Sequence, residues 1–249
     1  MSKQRFALAA AALLFGAAAF PTAAHDGDQP IPAATNEATA AEFDITYTRV
    51  TQIGSNLYFS MQVSGEAGST VPEATGAVAG SEVLSYVFPT SLDTSTIGFE
   101  PEQGILALAV TSHPDFDDTP LWDENDDGDP ANDGVLWHSH WVVLTGDEAC
   151  GVGGLKVRDI PEGETPAVPE TWPELPILID SPNYELELYE SEIVVAVPVD
   201  AVGAPETFNF DGVTAGLQVN ANLHDPFLCV TGVSDIASGD LSLPGIAGR

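Results

Sequence analysis

VLWHSHWVVL, residues 135–144, decides the fold. Side chains alternate along a strand, so Val135, Trp137, Ser139, Trp141 and Val143 share one face, and Leu136, His138, His140, Val142 and Leu144 the other. Both faces are mostly apolar, which predicts a central strand covered on both sides. Outward from it, FDITYTRV (43–50) and NLYFSMQVS (56–64) alternate and are rich in aromatic and β-branched residues. The turn at 52–55, with Gly54, predicts that they form a hairpin. EVLSYVF (82–88), ILALAVT (105–111), and segments 176–180, 184–189, 192–199, 215–224 and 226–230 read as further strands between Pro, Gly and Ser/Thr punctuation. No window combines a helical period with caps. The expected fold is therefore all-β, an antiparallel β-sandwich of jelly-roll or immunoglobulin-like kind, with one main domain over residues 42–249.

His138 and His140 fall on one face of the central strand among apolar neighbours. Imidazoles two residues apart in such a setting stay neutral and supply half of a zinc or copper site. His113, at the end of the preceding strand, and His224, at the end of 215–224, are the other candidate ligands, with Asp115, Asp117 and Asp133 as oxygen alternatives. Whether His113 reaches His138 depends on strand register, which the sequence leaves open. His25, at the amino terminus that removal of residues 1–24 would create, is a further possible chelator.

Between His113 and the central strand lies a loop crowded with acid. Asp123, Asn125 and Asp127 alternate and Gly128 follows, the opening half of D-x-[DN]-x-[DN]-G. The loop resembles those of EF-hand and thrombospondin-type calcium repeats. It departs from the EF-hand where Gly134 stands in place of the closing Glu, which leaves Asp129 and Asp133 to complete a different cage. The resemblance implies a structural calcium, held because hard oxygens suit a hard cation and the ion cancels carboxylate repulsion.

The ends and the composition set the surroundings. Lys3 and Arg5 precede an Ala/Leu/Phe run and the small residues Thr22, Ala23 and Ala24. Residues 1–24 thus read as a secretory signal, too short and Ala-rich for a membrane span. Residues 25–41 read as a flexible leader, and the proline-rich stretch 161–176 as the place for a boundary if the chain has two domains. The expected location is a periplasm or the outside of a cell, with no membrane insertion. A net charge of −32 repels nucleic acid and anionic lipid and concentrates cations. Cys150 and Cys229 are the only cysteines, and in an oxidising compartment they are expected to pair, closing a loop of about 80 residues.

Two wider likenesses bear on function. His138-Ser139-His140-Trp141 is similar to the H-x-H-W piece of α-class carbonic anhydrases, where two histidines on a strand bind zinc. The likeness covers four residues, and the third-ligand context of that family is missing. The strand 44–50 followed by Leu57-Tyr58-Phe59 resembles secreted DOMON and family-nine carbohydrate-binding domains, which implies haem or sugar binding. Met61 is a candidate axial haem partner for a His, but it shares a face with Leu57, Phe59 and Val63, as a core residue would. Tyr58, Trp137, Trp141 and the row Gln218, Asn220, Asn222 and His224 are the candidate sugar contacts. No G-x-S-x-G elbow and no phosphate-binding glycine loop is present.

Three functions follow. The first is a metal-binding protein with zinc or copper at the histidines and calcium in the acidic loop. The second is a haem- or carbohydrate-binding module. The third is a metal-dependent hydrolase or lyase, in which the ion keeps a position open for water.

Overall fold

The computed structural model describes residues 28–73, 79–114, 128, 135–220 and 226–248. The architecture is all-β and antiparallel, with no helix of seven or more residues among those described. The strands are β1 (Ile31–Pro32), β2 (Ile45–Ile53), β3 (Asn56–Val63), β4 (Glu82–Pro89), β5 (Ile105–Ser112), β6 (His138–Gly146) and β7 (Leu155–Val157). They continue with β8 (Ile179–Asp180), β9 (Glu185–Tyr189), β10 (Glu192–Pro198), β11 (Thr207–Phe210), β12 (Val213–Val219), β13 (Leu228–Ile236) and β14 (Gly245–Gly248).

The β2–β3 hairpin forms as expected. Gly54 turns the chain at φ +63°, a left-handed conformation that glycine adopts without Cβ strain, and Ile53 pairs with Asn56. A five-stranded sheet in the order β1-β2-β3-β10-β9 grows from this hairpin.

The second layer differs from a jelly-roll or immunoglobulin-like sheet, because it closes on itself. Its order is β5-β4-β12-β13-β7-β6, and a further β5–β6 pairing joins the ends into a six-stranded barrel. Closure removes the open edges that a sandwich leaves. The weakest joint is β13 to β7, where one residue pair, Cys229 with Lys156, makes the register. The joint is reinforced there: the Cys150–Cys229 disulfide spans it, with Cα atoms 5.4 Å apart. Lys156 Nζ lies 2.8 Å from both Asp147 and Asp159.

The two faces of β4, β5 and β6 serve different layers. Outward, Tyr86, Phe88, Leu106, Leu108, Val110, Trp141 and Val143 meet Leu57, Phe59, Met61, Ile193 and Val195 of the five-stranded sheet. Inward, Val83, Val87, Ala107, Ala109, Val142 and Leu144 face Val213, Ala215, Leu217 and Val219 across the barrel. The apolar character of both faces of β6 thus has its expected cause.

Several expected boundaries shift: the strand read over 176–180 narrows to Ile179–Asp180, and that read over 226–230 becomes Leu228–Ile236. The strand read over 135–144 begins at His138, because Val135 and Leu136 spend their carbonyls on side chains: Ser112 Oγ donates to Val135 and His138 Nδ1 to Leu136. The strand read over 215–224 runs from Val213 to Val219, and residues 221–225 lie outside the described residues. The 161–176 stretch leaves and rejoins the barrel at one place, since Ile160 N donates to Pro176 O at 2.8 Å and Asp159 pairs with Ile177. No helix among the described residues is long and apolar enough to cross a membrane.

Candidate metal centre

Strand register assembles the site. In the β5–β6 pair Thr111 faces His138 and Ala109 faces His140. His113 continues the β5 line two residues beyond Thr111, which brings it diagonally to His138. The Nε2 atoms of His113 and His138 are 3.1 Å apart, and potential ligand atoms of His113, His138 and His140 lie within 4.8 Å of one another. Two nitrogens bound to one tetrahedral zinc stand about 3.3 Å apart, given zinc–nitrogen bonds of about 2.0 Å. The His113–His138 spacing is close to that.

Each ring is held from behind. His113 Nδ1 donates to the Pro114 carbonyl at 3.0 Å, and His138 Nδ1 to the Leu136 carbonyl at 2.8 Å. His140 Nδ1 lies 3.0 Å from Ser181 Oγ and 3.3 Å from the Asp180 carbonyl. A carbonyl only accepts, so these bonds place the ring proton on Nδ1 and the lone pair of each neutral ring on Nε2. Anchoring of the distal nitrogen by a carbonyl is how proteins orient histidine for a metal.

Electrostatics keeps the rings neutral. Burial first, then the neighbouring His138 and His113, holds His140 well below the usual imidazole range. Burial, followed by the proximity of His113, brings His138 down to about 4. Burial likewise lowers His113, against the opposing effect of its bond to Pro114. With the ring proton on Nδ1, the Nε2 lone pairs of His113 and His138 face each other at 3.1 Å. A cation between them relieves the repulsion directly.

Of the residues expected to bind metal, the structure brings together His113, His138 and His140. His224 and the loop residues Asp115, Asp117, Asp123, Asn125, Asp127, Asp129 and Asp133 lie outside the described residues, as does His25. The anchors Ser181 and the carbonyls of Pro114, Leu136 and Asp180 had no signature in sequence. A carbonyl is common to every residue, and Ser181 reaches His140 only because β8 pairs with β6, Asp180 opposite Trp141.

Of the residues considered for haem or sugar contacts, Asn222 and His224 lie outside the described residues, and Trp137, Trp141, Met61, Gln218 and Asn220 sit elsewhere. Trp141 is fully buried between the layers, its Nε1 donating to Tyr184 Oη at 3.2 Å. Trp137 packs on Tyr86 with ring centroids 4.9 Å apart and donates to the Gly68 carbonyl. Neither ring offers an open platform. Met61 is wholly buried in the same core. Gln218 faces solvent, and Asn220 is tied to the Pro226 carbonyl. No protein-family model, curated protein or solved structure matches the chain. The functional reading therefore rests on the geometry of the site itself.

Proposed function

We propose that this chain is an exported metal-binding protein that holds zinc or copper on His113, His138 and His140. The observation that carries the reading is the convergence of three buried or half-buried imidazoles, with potential ligand atoms within 4.8 Å of one another and with every Nδ1 tied back to the protein. Imidazole nitrogen suits both ions, and zinc or copper follows from donor type. Export is supported by the signal-like residues 1–24 and by the disulfide, which suits an oxidising compartment. Calcium in residues 123–133 remains a second, separate expectation from the sequence.

The test is metal titration of the purified, chelator-stripped protein beside a His138→Ala/His140→Ala double variant. The wild type is expected to take one zinc or copper ion tightly, and the double variant to keep its circular dichroism spectrum while losing that ion. Equal uptake by both would place the metal elsewhere and defeat the assignment.

Metal-dependent hydrolysis is a second reading, favoured by one observation. Three histidines are the ligand set that leaves a tetrahedral ion one position for water, and two of them, His113 and His140, stand in the wall of a cavity. Turnover of an activated ester that stops with chelator and returns with zinc would support it.

A further inference from the structure

The interior of the six-stranded barrel contains a cavity of about 170 Å³. Barrels of this size ordinarily fill their interior with side chains. Here Ser85, Ala109 and Ala215 point inward where larger residues would fit, and they leave room between Val87, Val142 and Val213. At one end the wall contains Thr111, His113 and His140. At the other it contains Ile105, Val233 and Leu241, which are 43%, 51% and 39% exposed.

The strand registers set these ends apart. Ile105 pairs with Leu144 and Thr111 with His138, so β5 and β6 carry the aliphatic rim at one end and the histidines at the other. Val213 pairs with Val87 and with Ile236, which puts the end of β13 near Val233 on the rim side. The chamber is thus an aliphatic passage with an open apolar rim and a donor-rich floor.

We propose that the barrel is a binding chamber for a small, uncharged, largely hydrocarbon molecule carrying one nitrogen, oxygen or sulfur donor. The molecule enters past Ile105, Val233 and Leu241 and turns its donor towards the metal. This inference rests on the metal reading, because the ion is what recognises the donor. Size follows from volume: a cavity of about 150 Å³ lined by aliphatic side chains accommodates benzene. The ligand is therefore on the scale of one six-membered ring with a short substituent. Neutrality follows from charge, since a chain of net charge −32 repels an anionic ligand and the apolar walls desolvate any ion.

The experiment uses the full chain in two stages. Zinc uptake is measured first, so its failure counts against the metal site alone. The zinc-loaded protein is then titrated by calorimetry at pH 8 with pyridine, 4-methylpyridine, 4-ethylpyridine and 4-propylpyridine, which share one donor and differ in hydrocarbon. Affinity is expected to rise about fourfold per added carbon until the chamber is full, the increment for burying a methylene. A Val213→Phe variant, which inserts a ring from the strand opposite β6, is expected to bind zinc with unchanged stoichiometry and to lose that increment. If zinc binds but the four pyridines bind alike to the wild type, the donor meets the metal in open water and the chamber proposal is overturned. The wild-type series decides the question even if Val213→Phe does not fold.

Discussion

β4, β5 and β6 have two faces, and the molecule uses them in opposite ways. Outward, Phe59, Phe88, Phe208 and Trp141 pack ring against ring, with Phe59 5.5 Å from Phe88 and 6.1 Å from both Trp141 and Phe208. Inward, alanines and valines surround a cavity that ends in histidine. Adjacent residues of one strand thus belong to different environments. Val143 lies in the aromatic core and Val142 in the barrel wall. The comparison shows where the fold can accommodate a function. Aromatic burial on the outer face supplies stability, and the inner face is left with unfilled volume, two buried imidazoles and the half-buried His138.

The largest test concerns closure of the barrel, without which there is no inner face. Replacing Cys150 and Cys229 with serine frees a loop with a sequence separation of 79. It is expected to cost about 4 kcal/mol by loop entropy. Urea unfolding of the two forms measures this. A loss below about 1 kcal/mol would mean that Lys156 and its two carboxylates hold the seam unaided.

The next compares the faces with one substitution. Val143→Ala removes packing from the filled core and is expected to cost about 3 kcal/mol. Val142→Ala borders existing space and is expected to cost about 1.6 kcal/mol, no more than the transfer of two methylenes. Equal losses in parallel urea melts would show that the inner face is packed as tightly as the outer, and the contrast would fail.

Metal enters the same ledger. Zinc at a hundredfold excess over its dissociation constant is expected to stabilise the chain by about 2.7 kcal/mol. A melting temperature unmoved by zinc, in protein already stripped with chelator, would count against a site formed only in the folded barrel.

A pH series sharpens the inner face further. Unfolded histidine titrates at its ordinary value of 6.5, while folded His138 lies at about 4 and His113 and His140 are also lowered. As pH falls the unfolded chain takes up protons first. The metal-free protein is therefore fully stable with respect to these groups above 6.5 and loses stability below it, towards pH 4. Each histidine contributes up to about 1.4 kcal/mol per pH unit in that window. In His138→Ala one such share of the slope is expected to vanish, and an unchanged slope from pH 6.5 to 4.5 would place His138 in water.

The smallest effect is at an anchor. Ser181→Ala removes one of two acceptors behind His140, and zinc affinity is expected to fall about tenfold with little change in fold stability. An affinity that stays constant would leave the Asp180 carbonyl as the sufficient anchor.

Parts of both layers were legible in the sequence. The hairpin of β2 and β3, the two-faced β6 and the pairing of Cys150 with Cys229 follow from local pattern and from the scarcity of cysteine. So does the assignment of Met61 to the core, because its strand alternates cleanly. The short strands β1, β7, β11 and β14 did not announce themselves. Two to four residues carry no period, and their pairing comes from neighbours distant in sequence.

By itself, then, the sequence determined the all-β class, the burial of both faces of β6 and the presence of a histidine pair on one of them. These depend on alternation, which any extended chain imposes on its own side chains. Only the tertiary structure decided that the second layer closes into a barrel, that Thr111 meets His138 and thereby brings in His113, and that Pro114, Leu136 and Ser181 hold the rings. Each of those is a matter of register. A shift of one residue between β5 and β6 leaves both strand patterns almost as apolar as before, yet turns His113 to the other face.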